Sequence, residues 1–335
     1  MWVASYRLGT VSAMNYRRLG RTGFEVSEIG YGAWGISGVQ WIGAKDDESI
    51  AALNRAIDLG LNFIDTARAY GEGHSEQLVG RVVRERSERV YVATKVPPKN
   101  LVWPAPDGID VAEVYPGDYV RRSAEQSLEN LGLETVDLLQ LHVWQDAWLG
   151  QGDWLDTLEE LRSAGRVQHV GISINDHQPA NALAAIEAGV VDTVQVIFNV
   201  FDQSPLERLL PACREHDIGV IVRVALDEGG LTGTITADSE FPEDDFRRHY
   251  FGDGRAAEVE RRVGAICSDL GIESGQMAET ALRFVLSEPA VSTVVPGMRT
   301  TRHVERNVAV GDGHGLPREQ LDTLRDHRWE RNFYE

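Results

Sequence analysis

The chain of 335 residues contains two cysteines, Cys213 and Cys267. Two thiols cannot staple a small secreted scaffold, and no C-x-x-C or Cys/His spacing offers a zinc site. The expectation is a protein of the reducing cytoplasm with no metal ligand set. Also missing is any apolar run near the roughly 18 uncharged residues that a membrane helix needs. Positive charge is in short supply: 33 Lys and Arg stand against 52 Asp and Glu, a formal net charge of −19. That balance repels nucleic-acid phosphates and anionic membranes, so the expected partner is a small molecule; a local Arg cluster would still admit a phosphorylated one. The oligomeric state is not encoded. The opening MWVASYRLGTVSA lacks the charged and long apolar segments of a secretory signal. We expect a disordered leader over 1–13 and one folded domain over 14–335, starting at MNYRRLGRTG.

What is present is alternation. Short Val/Ile/Leu-rich runs occur at 29–32, 63–65, 90–95, 136–142, 167–174, 194–199, 220–224 and 292–295. They do not alternate in polarity, as befits strands buried on both faces of a parallel sheet. Helical periodicity fills the gaps at 46–59, 119–131, 154–164, 179–188 and 206–216, and Gly60 is placed to end the first helix. Eight strands each followed by a helix predict an α/β fold, a (β/α)8 barrel. A doubly wound sheet fits the same alternation. However, GYGAWGISG after the first strand misses the G-x-G-x-x-G spacing and puts an aromatic where pyrophosphate would approach. YRRLGRTGFEVSEI predicts a hairpin ahead of the barrel, turning at residues 20–23. Long stretches over 96–117 and 226–254 follow strands three and seven, on the face where barrel enzymes keep their chemistry.

Asp65, Lys95 and His142 stand at predicted strand ends, and Tyr70 lies in the loop after Asp65. Singly they read as a helix cap, a solvated strand end, a core histidine and a half-buried aromatic. A closed barrel brings all four to one rim, and there they support a definite chemistry. A phenol with pKa near 10 is a poor proton donor until a cation assists it. Lys95 supplies the cation and Asp65 holds it charged, while His142 can hydrogen-bond a substrate oxygen. In the same loop Ser75 is the expected N-cap of the next helix, and His74 is not a catalyst.

Asp65-x4-Tyr70 with GEGHSEQLVG, ATK at 93–95, DLLQLH at 137–142, GRVQHVGIS at 165–173 and VVPGMRTTRHVERN at 294–307 together resemble the aldo-keto reductase superfamily. The resemblance runs in order from about Asn15 into the C-terminal region. It implies a barrel that binds a nicotinamide cofactor, usually NADP, without a Rossmann unit. It also implies reversible reduction of an aldehyde or ketone by hydride transfer, with Asp65, Tyr70, Lys95 and His142 as the tetrad and Tyr70 as the acid. The matching positions assign Ser173 and Gln195 to the carboxamide, the backbone at Gly32 and Trp34 to the nicotinamide end, and Leu226, Gly229, Leu231 and Gly233 to the pyrophosphate. Pro296, Gly297 and Arg299 fall to the 2′-phosphate, and His303 and Asn307 to the adenine. An Arg fork there favours NADP(H), with NAD(H) possible.

Some positions depart from the family pattern. Asn175 stands one place beyond the usual Ser-Asn pair. Arg223 replaces the aromatic that stacks on the nicotinamide, and a cation there would favour the neutral reduced ring. Asp227 and Glu228 add negative charge near the pyrophosphate unless they grip an Arg. His303 and Arg306 replace usual adenine-site residues. Trp34, Trp103, Trp144 and Trp148 lie in predicted strand-end loops. With Tyr70 and His142, the first three are expected to line the substrate pocket, suited to sugar faces or aromatic carbonyls. Residues 238–254 read as a lid or as a solvated loop. Two other functions stay open: a non-catalytic NADP-binding regulatory subunit, like the channel β subunits of the same superfamily, and a Schiff-base aldolase using Lys95.

Overall fold

Strands β1 (Tyr16–Arg18) and β2 (Glu25–Ser27) pair antiparallel with Arg17 opposite Val26, forming the hairpin the sequence predicts. The structure, a computed structural model, describes residues 14–334, so the leader expected over 1–13 lies outside the described residues. Leu19 and Val26 of the hairpin bury themselves with Phe63, Ala93, Leu138 and Ile221 in a cluster of their own. The hairpin thereby plugs the end of the barrel opposite the loops that carry polar side chains.

The barrel strands are β3 (Tyr31–Gly32), β4 (Phe63–Asp65), β5 (Tyr91–Val96), β6 (Val136–Leu141), β7 (Val167–Ser173), β8 (Thr193–Ile197), β9 (Gly219–Arg223) and β10 (Thr293–Val294). They are parallel and neighbour one another in chain order. Parallel bridges from Ile29 to Val294 and from Gly32 to Gly297 bring the first strand against the last and close the (β/α)8 barrel. The closure requires glycine at 32: a Cβ there would lie 2.4 Å from the Val295 carbonyl oxygen.

Helix Asp46–Asp58 ends as the sequence predicts, with Gly60 just past it at φ +94°. Two other predicted helices are broken. The 179–188 pattern becomes a 3-10 turn, Pro179–Ala182, and a short helix, Leu183–Glu187. The break falls at Asn181, whose Oδ1 accepts from the Asp146 amide at 2.9 Å and whose Nδ2 donates to the Trp144 carbonyl at 3.2 Å. Tying down that neighbouring loop wins over helical continuity. The 206–216 pattern divides likewise into Ser204–Leu206 and Leu209–Glu215.

Helix His74–Glu85 corrects one expectation: its N-cap is Gly73, not Ser75. The Ser75 hydroxyl donates instead to the Ala33 carbonyl at 2.8 Å and sits 2.9 Å from Thr66 Oγ1. It thus ties the loops after β3 and β4 together directly beneath Tyr70. No helix among the described residues is long and apolar enough to cross a membrane.

Candidate active site

Barrel register sets the three strand-end residues side by side, with Tyr70 in the loop that follows the first of them. Asp65 closes β4, Lys95 lies near the end of β5 opposite Gln140, and the His142 amide donates to the Val96 carbonyl at 3.0 Å. Lys95 Nζ is fully buried and donates to Asp65 Oδ2 at 2.6 Å, to the Thr66 carbonyl at 2.8 Å and to the Tyr70 hydroxyl at 3.3 Å. The other Asp65 oxygen accepts from Gln195 Nε2 at 2.8 Å and Gln140 Nε2 at 3.2 Å. Both carboxylate oxygens are thus hydrogen-bonded, as a buried ion pair requires. The Tyr70 and His142 rings meet edge to face at 5.8 Å.

Burial acts on each group and the neighbours decide the balance. It works against the Lys95 ammonium, but Asp65 and Tyr70 outweigh it and hold the amine above its ordinary value. A charged amine is no nucleophile, which argues against a Schiff base. For Tyr70 burial prevails: the phenol is pushed above its usual value although Lys95 pulls it down, so the hydroxyl keeps its proton at neutral pH. The assistance expected from Lys95 is present, but burial outweighs it, and the proton-donor state survives. His142 is pushed well below the usual imidazole range by burial, Lys95 and Arg223, and its buried Nδ1 has no partner among the described residues. It stands as a neutral imidazole at the mouth.

These residues open into a cleft of about 1940 Å³ that runs across the C-terminal face, larger than one small ligand fills. Gly32, Trp34, Ser173, Asn175, Gln195, Arg223, Leu226 and Gly229 line it, and so do Pro296, Gly297, Arg299, His303 and Asn307. Near Tyr70 its rim is aromatic and apolar. Trp34 stacks on Tyr70 at 6.2 Å and Trp103 meets His142 at 5.7 Å. Val39, Leu101 and Trp103 line the cleft yet remain exposed.

Three expected lining residues do not reach the cleft. Trp144 is fully buried, edge-on to Trp148 and Trp154 at 6.0 and 5.1 Å, with Nε1 donating to Asp146. Both Trp144 and Trp148 anchor loops to the helical wall, because the chain turns away from the barrel axis after His142. Leu231 is fully buried in the main core. Gly233 faces away: at φ +73° a Cβ would lie 2.2 Å from the Ser274 carbonyl oxygen, so its glycine serves a close backbone approach. Asn175 does line the cleft, but its amide is engaged by the Ala105 backbone at 3.3 and 3.4 Å.

Other lining residues went unread in the sequence. Trp41 and Phe246 meet Trp34 at 5.7 and 5.1 Å, and the Phe246 amide donates to the Gln40 carbonyl at 2.7 Å. The segment over 238–254 thus contacts the loop after β3 across the cleft. Arg302 joins Arg299, His303 and Arg306 at the far end. From the C-terminal tail, Tyr334 also reaches the wall. An aromatic beside Gly-rich loops at 34–43 was the only available signal for Trp41; none pointed to Tyr334.

The two acids that looked misplaced are resolved differently. Asp227 is buried and gripped by Arg331, while the Tyr250 hydroxyl donates to it at 2.8 Å. Glu228 takes a hydrogen bond from the Tyr334 hydroxyl at 2.7 Å. Arg223 donates to Asp176 at 2.6 Å and to the Ile174 carbonyl at 3.1 Å, leaving its buried Nε without a partner among the described residues.

The family model described as the Aldo/keto reductase family matches residues 28–328. The chain belongs to the aldo/keto reductase family. It is 29% identical over 300 residues to Aldo-keto reductase YhdN of Bacillus subtilis, with 87% of each chain covered. To the NADH-specific methylglyoxal reductase of Escherichia coli it is 30% identical over 233 residues, covering 66% of this chain and 70% of that one. The solved glycerol dehydrogenase AKR11B4 from Gluconobacter oxydans superposes with a TM-score of 0.75 at 27% identity, covering 93% of this chain and 94% of the other. As an aldo/keto reductase the chain is an oxidoreductase of a family that reduces carbonyl groups with nicotinamide cofactors. Its cleft fits such a group: Arg223, whose Nε has no partner among the described residues, the open backbone at Gly229 and Gly297, and the cations at the far end all line one continuous cleft.

Proposed function

We propose that this aldo/keto reductase reduces an aldehyde or ketone, reversibly, with NADPH as the preferred cofactor. The observation that carries the reading is the buried contact of Lys95 with both Asp65 and the Tyr70 hydroxyl, opening under an aromatic rim. The nicotinamide, when bound, supplies the hydride. Ser173 and Gln195 offer polar contacts to its carboxamide, with Asn175 nearby, and Trp34 with the Gly32 backbone borders the ring. Tyr70 donates its proton to the carbonyl oxygen as that oxygen gains charge. Lys95 stabilises the phenolate left behind, and Asp65 keeps Lys95 charged and aimed. His142, held neutral, gives one N–H to the same oxygen and fixes the carbonyl over Tyr70.

The preference for NADPH rests on charge. Arg299, Arg302, His303 and Arg306 gather at one end of the cleft in a protein of net charge −19. Burial and the three neighbouring arginines push His303 below its usual value, the mark of a positive field short of compensating carboxylates. Of the two acids there, Glu305 is taken by Arg55 at 2.9 Å and Glu279 by Arg283 at 2.9 Å. A 2′-phosphate would balance that field. On the substrate side, Trp34, Trp103, Val39 and Leu101 favour a carbonyl on a flat body, an aromatic ring or a sugar face. Fluorescence titration with NADPH and NADH, followed by turnover on aromatic aldehydes, keto-sugars and methylglyoxal, tests the reading. NADPH binding with turnover on at least one carbonyl is expected; failure of both cofactors to bind would sink it.

A further inference from the structure

The wall of the cleft beside β9 is built by two segments more than a hundred residues apart. One is the loop after β9, where Val224, Asp227 and Glu228 all adopt left-handed backbone conformations, at φ +58°, +52° and +52°. Such conformations cost of order 1 kcal/mol or more each in non-glycine residues, so surrounding contacts must enforce them. The other segment is the C-terminal tail. Trp329 donates its amide to the Phe201 carbonyl at 2.9 Å, and Arg331 inserts a nearly buried guanidinium between Phe201, Trp329 and Phe333. Tyr334 then packs on Phe246, Tyr250 and His177. The tail clamps the loop, and the clamp places Glu228 and Tyr334 together on the cleft.

The charges in this wall do not cancel. Asp176, Asp227 and Glu228 face two arginines. Arg223, at the end of β9, is bonded to Asp176, and Arg331, from the tail, is bonded to Asp227. His177 is engaged by Asp202 at 2.6 Å. The tyrosines facing Glu228 are Tyr334, which donates to it, and Tyr250, whose hydroxyl is committed to Asp227. Among the described residues Glu228 is the carboxylate of this wall left without a bonded cation, and it lines a cleft meant, on the reading above, for a polyanion.

We propose that Glu228 takes up a proton when the dinucleotide binds, so that cofactor affinity is proton-linked through the Glu228–Tyr334 pair. The inference rests on the proposed cofactor reading. As a carboxylate, Glu228 is an acceptor that repels phosphate oxygens. As a neutral acid it becomes a donor to them, and Tyr334 is free to turn. The free protein is already poised for this: burial, with Asp227 and Asp176 acting against Tyr334 and Arg223, raises the Glu228 carboxyl to about 7. A bound anion raises its proton affinity further, and by reciprocity a proton raises affinity for the anion.

The experiment is a titration of the full chain with NADPH and with NADH between pH 7 and 9, above the second ionisation of a phosphate monoester near ~6. For the wild type, the Kd for both cofactors is expected to weaken by up to about tenfold per pH unit. The Glu228→Gln variant, neutral at every pH, should give a flat profile and bind roughly tenfold or more tightly than wild type at pH 9. Calorimetry at pH 8 in two buffers of different ionisation heat should count close to one proton taken up by the wild type and none by Glu228→Gln. Tyr334→Phe keeps the ring but removes the hydrogen bond that favours the carboxylate, so the onset of weakening should move to higher pH. Parallel profiles for wild type and Glu228→Gln, or no displacement in Tyr334→Phe, would overturn the inference while leaving the cofactor reading intact. Absence of NADPH and NADH binding at every pH would remove both.

Discussion

The Tyr70 hydroxyl stands 3.3 Å from the Lys95 ammonium, with the Asp65 carboxylate 2.6 Å beyond it. On the proposed mechanism, this chain of contacts would let a phenol held above its usual pKa by burial still release a proton at the moment an alkoxide forms. Replacing Tyr70 with Phe removes the proton but not the ring that Trp34 stacks on. We expect kcat for carbonyl reduction to fall by about 10² to 10⁴, with the Kd for NADPH nearly unchanged. Steady-state kinetics beside a fluorescence titration check both halves.

Arg299 sits among Arg302, His303 and Arg306, and its own Nη1 donates to the Ile42 carbonyl at 3.0 Å. If the cluster receives a 2′-phosphate, Arg299→Ala should weaken NADPH by about 10- to 100-fold, the worth of a charge-assisted hydrogen bond. NADH, lacking that phosphate, should change little. Equal loss for both cofactors would remove Arg299 from cofactor discrimination.

Trp103 is 41% exposed and covers the edge of His142. On the proposed reading it offers apolar area to the substrate rather than taking part in the chemistry. Trp103→Ala should raise KM for an aromatic aldehyde by roughly tenfold, about the burial of one large side-chain face, and leave kcat within a few-fold.

The ion pair of Asp227 and Arg331 is buried on both sides, at 1% and 5% side-chain exposure. Arg331→Met would strand the Asp227 charge, which burial already pushes above its ordinary carboxyl value. Loss of about 3–5 kcal/mol is expected, read from urea unfolding.

Glu228 gives a pH signature that needs no cofactor. Its folded-state value of about 7 lies above the usual value of 4.5, so the folded chain binds the extra proton between those limits. The stabilisation is present below the unfolded value and is lost as pH rises through 7. Relative to Glu228→Gln, the wild type should lose at most about 3 kcal/mol between pH 4.5 and 8. Matched urea unfolding of the two proteins at pH 5 and pH 8 measures it, and a gap independent of pH would contradict the buried-acid account.

How much of this was legible depends on range. The barrel could be read because each β/α unit writes itself locally: an apolar run, a turn, a 3.6-residue period. Asp65, Lys95 and His142 could be read because strand ends are marked by where the apolar run stops. The helix over 179–188 was misjudged at Asn181, where bonds to Trp144 and Asp146 overrode local propensity. Trp144 was misplaced because a tryptophan after a strand says nothing of which way its loop turns.

The amino-acid order by itself determined the alternation that builds the barrel and the positions of the strand-end residues. Those are consequences of periodicity and sterics within a few residues. Which groups compensate one another was decided only in three dimensions. Asp227 meets Arg331 and Glu228 meets Tyr334 across more than a hundred residues, while Tyr70 is raised by burial that no local pattern records. Charge balance in a wall depends on every segment that reaches it, and a pKa depends on how much water those segments exclude.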